Sequence, residues 1–366
     1  MPIEQVPFVA LGRQYEHFRD EILEAFDRIS RSGQYVLSEE VELFESEFAT
    51  YCNSKYAVSV GNGSDALLLP FLSLGIEEGD EIITAPNSFV ASAWTIHRTG
   101  AKIVFADVGD DFNLEPDSVR ESITSKTKGI LAVHLTGRIA QMESLIEIAD
   151  EYGISVYEDA AQAVGATRNG KKAGSFGKFS AFSLHPLKNL HVHGDGGIIT
   201  TDDSNLSEHL KKCRNHGLKN RNECEFWGVN TRLDAIQAAI ARIKLKHIDT
   251  INGRMRSIAQ TYRQELCDFV RVPGEHSNEK PVYHRFMIRH ERRDSLKDHL
   301  AKCGVQSAIN YPIPLHLHEA AKELGYQKGD FENAETQAKE IISLPLFSEM
   351  EESEIDYVIQ SIKSFF

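Results

Sequence analysis

Cysteine is scarce and unpatterned in this 366-residue chain: Cys52, Cys213, Cys224, Cys267 and Cys303 are odd in number, widely spread and free of any C-x-x-C pair. That excludes a disulfide scaffold and suggests reduced thiols in a cytoplasmic protein. Positive charge is also short, with 40 Lys and Arg against 54 Asp and Glu and a formal net charge of −14. Proteins that coat nucleic acid display a basic field, so that role is not expected, although a local basic pocket for a small phosphorylated ligand is compatible. No stretch approaches the roughly 20 apolar residues that span a bilayer, and the opening MPIEQVPFVALGRQYEHF lacks the basic and apolar regions of a secretory signal. Neither membrane insertion nor secretion is expected. Internal repeats, low-complexity tracts and charged tails are missing as well. With 41% hydrophobic and 26% charged residues, the composition is that of a globular enzyme with two or three domains.

Short β-branched runs alternate with helical stretches between about residues 55 and 201. Candidate strands are Tyr56–Val60, Glu81–Thr84, Lys102–Ala106, Gly129–His134, Ile154–Tyr157, Phe179–Ser183 and Gly197–Thr201. They predict an α/β fold with a mostly parallel seven-stranded sheet flanked by helices. Ser64–Leu74 and Gln141–Ala149 carry apolar residues at helical spacing, the second stopped by Tyr152-Gly153. Beyond residue 201 the texture changes. One long helix is predicted over Asp234–Asp249 and another over Met255–Phe269, followed by a strand over Val282–Ile288 and helices near Arg293–Cys303 and after Glu349. Pro273 to Pro281 reads as a surface connection. The predicted organisation is a large domain over residues 1–250 and a smaller C-terminal α+β domain over residues 251–366.

Three segments could carry chemistry. Gly61-Asn-Gly-Ser-Asp-Ala66 lies between a strand and a helix, where free N–H groups and the helix dipole suit a phosphate, though plain turn and capping chemistry fits equally. It does not match the nucleoside-triphosphate P-loop. Asp159 ends a hydrophobic strand, where α/β proteins place ligands, and an acid there keeps a heterocyclic cofactor protonated and electron-withdrawing. A helix N-cap is the plainer reading. Glu158 faces the other way by strand alternation. Lys188 follows a strand in Phe182-Ser-Leu-His-Pro-Leu-Lys-Asn-Leu-His-Val-His-Gly-Asp-Gly-Gly197, a setting in which a lysine loses its proton easily enough to react with an aldehyde. Most loop lysines are simply solvated. His191 and His193, with His185 and His216 nearby, match no familiar zinc spacing, so no metal site is expected.

Six blocks in order, Gly-Asn-Gly-Ser-Asp-Ala, Glu-Asp-Ala-Ala-Gln, Phe-Ser-x-His-Pro-x-Lys-Asn-Leu, Gly-Asp-Gly-Gly, Asn-x-Arg-Leu-Asp-x-Ile-Gln-Ala-Ala and Tyr-Pro-Ile-Pro-Leu-His, resemble the DegT family of nucleotide-sugar aminotransferases. The resemblance runs across nearly the whole chain and implies a fold-type-I scaffold with pyridoxal 5′-phosphate as cofactor. It implies that Lys188 makes the covalent link to the cofactor and that Asp159 pairs with the pyridine nitrogen. Gly63, Ser64 and Asp65 match the phosphate cradle, with Ser183 from the later strand. Phe89 matches the aromatic on the ring and Gln162 the side chain near its hydroxyl. Asn230 matches a residue that reaches the phosphate of the neighbouring subunit, which implies a homodimer with shared sites. His185, Arg232, Tyr311 and His316 are the substrate-side candidates, with Arg232 either holding the donor carboxylate or bracing Asn230.

The implied reaction moves an amino group from L-glutamate to a keto-sugar nucleotide. Tyr311-Pro-Ile-Pro-Leu-His316 and Leu344-Pro-Leu-Phe347 look most like relatives that aminate carbon 3 of a dTDP- or UDP-linked sugar, with carbon 4 as the alternative. The run His134-Leu-Thr-Gly-Arg-Ile-Ala-Gln-Met142 departs from the family pattern and adds Arg138 near the expected cleft; Asn310 and His318 depart too. A non-catalytic cofactor-binding regulator is a further alternative, disfavoured by Lys188. A related dehydratase would carry histidine at that position.

Overall fold

Because the strand-forming runs are apolar at almost every position, they must be covered on both faces, which is the condition for a parallel sheet inside an α/β layer structure. The computed structural model describes residues 5–366 and shows this arrangement. Strands β1 (Tyr56–Val60), β2 (Glu81–Thr84), β3 (Lys102–Phe105), β4 (Thr127–Val133), β5 (Ser155–Asp159), β6 (Ser180–Ser183) and β7 (Gly197–Thr201) form one sheet in the order β1-β7-β6-β5-β4-β2-β3. From β3 to β6 neighbours are parallel. β7 runs antiparallel to β6 and β1, because the loop carrying Lys188 returns the chain at the end where β6 left off. Covering helices include α1 (Leu11–Ser32), α2 (Glu39–Cys52), α3 (Gly63–Ser73), α4 (Val90–Arg98) and α5 (Met142–Tyr152), the last closed by Gly153 at φ 64°. A backbone in that left-handed region costs glycine little.

Two helices differ from their predicted bounds. The structure breaks the chain at Lys246 and His247, giving α6 (Ala235–Leu245) and an uninterrupted α7 (Ile248–Leu266). The apolar face re-registers there: α6 packs with α1 through Phe18, Ile22, Ile29, Ala239 and Ile243, whereas α7 turns Met255, Ile258 and Tyr262 into a second core. That second core also holds β8 (Phe286–Arg289) paired antiparallel with β9 (Ile341–Leu344), helices α8 (Arg293–Lys302) and α9 (Glu352–Lys363), and Val6 from the opposite end of the chain.

The predicted strand over Val282–Ile288 begins only at Phe286. Val282 instead donates its N–H to the Gly137 carbonyl at 2.9 Å, and Tyr283 adopts a φ of 49°, which diverts residues 282–285 toward the sheet of the first core. The connection before it is likewise more than surface. Glu279 and Lys280 pair with Thr167 and Arg168, and buried Glu279 takes the Arg138 side chain, with Nε at 3.0 Å. Arg138 is therefore neutralised away from the cleft. Among the described residues no helix is long and apolar enough to cross a membrane.

Candidate active site

Parallel strands present their C-terminal ends on one side, and the site lies there, in a cavity of about 410 Å³ between the two cores. Its first wall is the start of α3. Asn62 caps this helix, its Oδ1 accepting from the Asp65 N–H at 2.8 Å, while the Gly63 and Ser64 N–H groups precede the first intrahelical bond and line the cavity. A side chain at Gly63 would put its Cβ 2.7 Å from the Ser183 Cβ, so only glycine lets the helix start sit directly on the end of β6. The result is a concentration of unpaired donors at a positive helix terminus, which attracts a phosphate.

Asp159 closes another side and is 6% exposed. Ser92 on α4 donates to its Oδ2 at 2.7 Å, and the Ala161 N–H to its Oδ1 at 3.2 Å, so the carboxylate is held in one orientation. Glu158, on the opposite face, is fully buried and accepts from the N–H groups of Gly174, Phe176 and Gly177, from Ser180 Oγ, and pairs with His134 at 2.9 Å. Its acidity is strengthened chiefly by the His134 pair against the cost of burial. This network locks β4, β5 and the following loop beneath Asp159.

Lys188 lines the same cavity from the β6–β7 loop. Burial pushes its pKa down to about 8, Asp159 opposes that and the Arg285 cation adds to it. His191 helps to fix the loop: its Nδ1 meets the Lys188 carbonyl at 2.9 Å, and burial pushes its pKa down to about 3, so the ring is neutral at ordinary pH. Phe89, 52% exposed, stands across the cavity with its ring centroid 5.7 Å from that of Tyr311. Gln162 accepts from the Thr136 N–H at 2.7 Å.

The structure thus brings together Gly63, Ser64, Phe89, Asp159, Gln162, Ser183, His185, Lys188 and Tyr311 around one cavity. Four other predicted residues stand elsewhere. Asp65 lies under the turn, accepting from Asn62 Nδ2 at 2.8 Å and Thr231 Oγ1 at 2.5 Å. His316 is buried against Phe331 and meets Glu335 at 3.1 Å. Arg232 donates to Asn215 at 2.8 Å, and Asn230 is exposed beside it. Sequence reasoning missed Ser92, Thr231, His284 and Arg285. Nothing in their local pattern distinguishes them, since each matters only through a contact far along the chain.

A fixed carboxylate, an easily deprotonated lysine and a phosphate-attracting helix start around one cavity define a site for a phosphorylated heterocyclic aldehyde. Residues 16–363 match the DegT/DnrJ/EryC1/StrS aminotransferase family. The chain is 40% identical over 366 residues to the pleiotropic regulatory protein of Geobacillus stearothermophilus, covering 99% of this chain and 98% of that one. It is 39% identical over 364 residues to the dTDP-3-amino-3,4,6-trideoxy-alpha-D-glucose transaminase of Streptomyces venezuelae, covering 99% and 96%. The crystal structure of S. venezuelae DesV in complex with a ketimine intermediate superposes with a TM-score of 0.97 over 99% of both chains at 39% identity. The chain belongs to the DegT/DnrJ/EryC1/StrS aminotransferase family, whose cofactor is pyridoxal 5′-phosphate. The residues present fit that group: donors for a dianion, a carboxylate for a ring nitrogen, and an amine for the aldehyde.

Proposed function

We propose that this chain transfers the amino group of L-glutamate to carbon 3 of a keto-sugar nucleotide. The observation that carries the reading is Lys188, its pKa pushed down to about 8 by burial, in one cavity with the fixed carboxylate of Asp159. The sugar end is supported by the Streptomyces venezuelae relative, named as a transaminase for a 3-amino sugar nucleotide.

The cofactor, when bound, supplies an electron-withdrawing ring that stabilises negative charge at the donor α-carbon. Asp159 would keep a proton on the ring nitrogen, and Ser92, donating to its Oδ2, holds the carboxylate for that task. Lys188 Nζ, neutral in an appreciable fraction near pH 8, would take the proton from the donor α-carbon and, in the second half-reaction, would supply one to carbon 3 of the acceptor sugar. Gly63, Ser64, Asp65 and Ser183 form the phosphate cradle, Asp65 by bracing the turn. Phe89 would cover the ring and Gln162 its hydroxyl side. His185 and Tyr311 face the sugar, and His316 anchors the segment that carries Tyr311. Asn230 crosses to the cavity of a second subunit, with Arg232 bracing it through Asn215, so the working unit is a homodimer, which we place in the cytoplasm. We take residues 1–250 as its large domain and 251–366 as its small one, with Val6 packed against the latter and residues 1–4 outside the described structure.

Incubating the purified protein with L-glutamate and a panel of 3-keto and 4-keto sugar nucleotides, with products read by mass and NMR, tests this. A 3-amino product is expected, absent with Lys188→Ala; amination at carbon 4 would overturn the regiochemistry. A regulatory role has one observation in its favour, the likeness to a protein named as a pleiotropic regulator. A binding scaffold needs no Lys188, and failure of every sugar in the panel would favour that role.

A further inference from the structure

Buried arginines in this protein are paired with carboxylates: Arg138 with Glu279, Arg214 with Glu45, Arg289 with Glu340 at 2.9 Å and Arg293 with Asp294 at 2.6 Å. Arg285 is half-buried and has no such partner. It lines the active-site cavity, yet no carboxylate among the described residues lies within ion-pair distance of it. A cation partly withdrawn from water without a partner carries a cost that a bound anion would offset. The group is also held ready. One of its roughly five N–H donors goes to the His284 carbonyl at 2.9 Å, and the guanidinium lies 5.0 Å over the Phe8 ring. Beside it, the buried Nδ1 of His284 has no hydrogen-bond partner, and His284 lines the same cavity.

We propose that Arg285 binds the α-carboxylate of the amino donor, an inference that rests on the aminotransferase reading above. Four anionic groups would enter this cavity, and one of them, the side-chain carboxylate of L-glutamate, stands two methylenes away from the reacting carbon. The cofactor phosphate is provided for at the start of α3. The diphosphate of a sugar nucleotide is separated from carbon 3 by two ring carbons and the glycosidic oxygen, which carries it away from the reacting centre. The α-carboxylate is bonded directly to the carbon whose proton Lys188 takes, so its partner must share the cavity with Lys188, as Arg285 does. A planar fork is suited to a carboxylate, and fixing that group fixes the rotation about the donor α-carbon. Since every α-amino acid carries this group, Arg285 sets orientation and leaves the choice among donors to other residues.

The test uses holoenzyme with Arg285→Gln and Arg285→Lys. Binding of α-methyl-L-glutamate, which has no α-hydrogen to lose, is read from the visible spectrum and by calorimetry, and half-reactions with L-glutamate and L-alanine are followed alongside. In Arg285→Gln the Kd values for all three amino acids should weaken about tenfold to a hundredfold, the range for a charge-assisted pair. KM for the keto-sugar nucleotide and cofactor content should stay near wild type, and Arg285→Lys should recover part of the loss. Unchanged amino-acid binding, a loss confined to dicarboxylate donors, or a rise confined to the sugar KM would each overturn the assignment. A wild-type enzyme that shows no spectral response to any amino acid overturns the aminotransferase reading itself, and this one with it.

Discussion

Lys244, on α6, carries an amine on a side chain only 1% exposed, with no hydrogen-bond or ion-pair partner among the described residues. Burial pulls its pKa from 10.5 to about 7, against a weaker opposing pull from Glu349. The sign follows from linkage. A lysine whose folded pKa lies below its unfolded one penalises the fold fully below about pH 7, and the penalty fades as pH rises toward 10.5. At about 1.4 kcal/mol per unit, the ceiling is about 5 kcal/mol. Relaxation and water penetration reduce such penalties, so replacing the amine by Lys244→Met, whose unbranched chain fills similar space, should stabilise by about 2–3 kcal/mol at pH 6. By pH 9.5 the gain should fall to about 1 kcal/mol or less. Urea unfolding of the two proteins at both pH values, at one protein concentration, measures the difference. A variant no more stable than wild type at pH 6, or a gain indifferent to pH, would refute the reasoning.

Two further outcomes concern the site. Ser92→Ala removes the hydroxyl 2.7 Å from Asp159 Oδ2, and losing a hydrogen bond to a charged group at about 1–3 kcal/mol should lower kcat about fivefold to a hundredfold with the cofactor retained; an unaltered kcat would show that Asp159 needs no such support. Heterodimers of Lys188→Ala with Asn230→Ala should regain up to one working site, because both lesions then fall in one cavity and spare the other. No recovery on mixing would mean that each site is built from a single chain.

The sheet was legible because its strands are short, apolar and separated by helices with readable stops, as at Tyr152-Gly153. The heart of the site was legible for a related reason: Gly63, Asp159, Ser183 and Lys188 all sit at strand ends or in the turns that follow, where position along the strand predicts position in space. Ser92 was not, since a serine in the first turn of a helix looks the same whether or not a carboxylate waits 67 residues further on. Arg285 escaped because the segment around it reads as a continuous strand, and only the pairing of Val282 with Gly137 shows where the strand yields to the cavity wall. Arg138 shows the converse. Its loop was located well, but its neutralisation by Glu279, 141 residues away, left no trace in spacing.

The walls of the cavity come from both cores, Asp159 and Lys188 from one and the His284–Met287 segment from the other, with a small apolar cluster of Phe112, Val133, Leu135, Met287 and Ile341 between them. A ligand gripped from both sides ties its own binding free energy to the docking of the two halves. At a hundred times its Kd, such a ligand adds about 2.7 kcal/mol to the assembled state. On the assignments above it is the amino donor, between Lys188 of one core and Arg285 of the other, that would act as such a fastener, so the two halves would hold each other more firmly while substrate is bound.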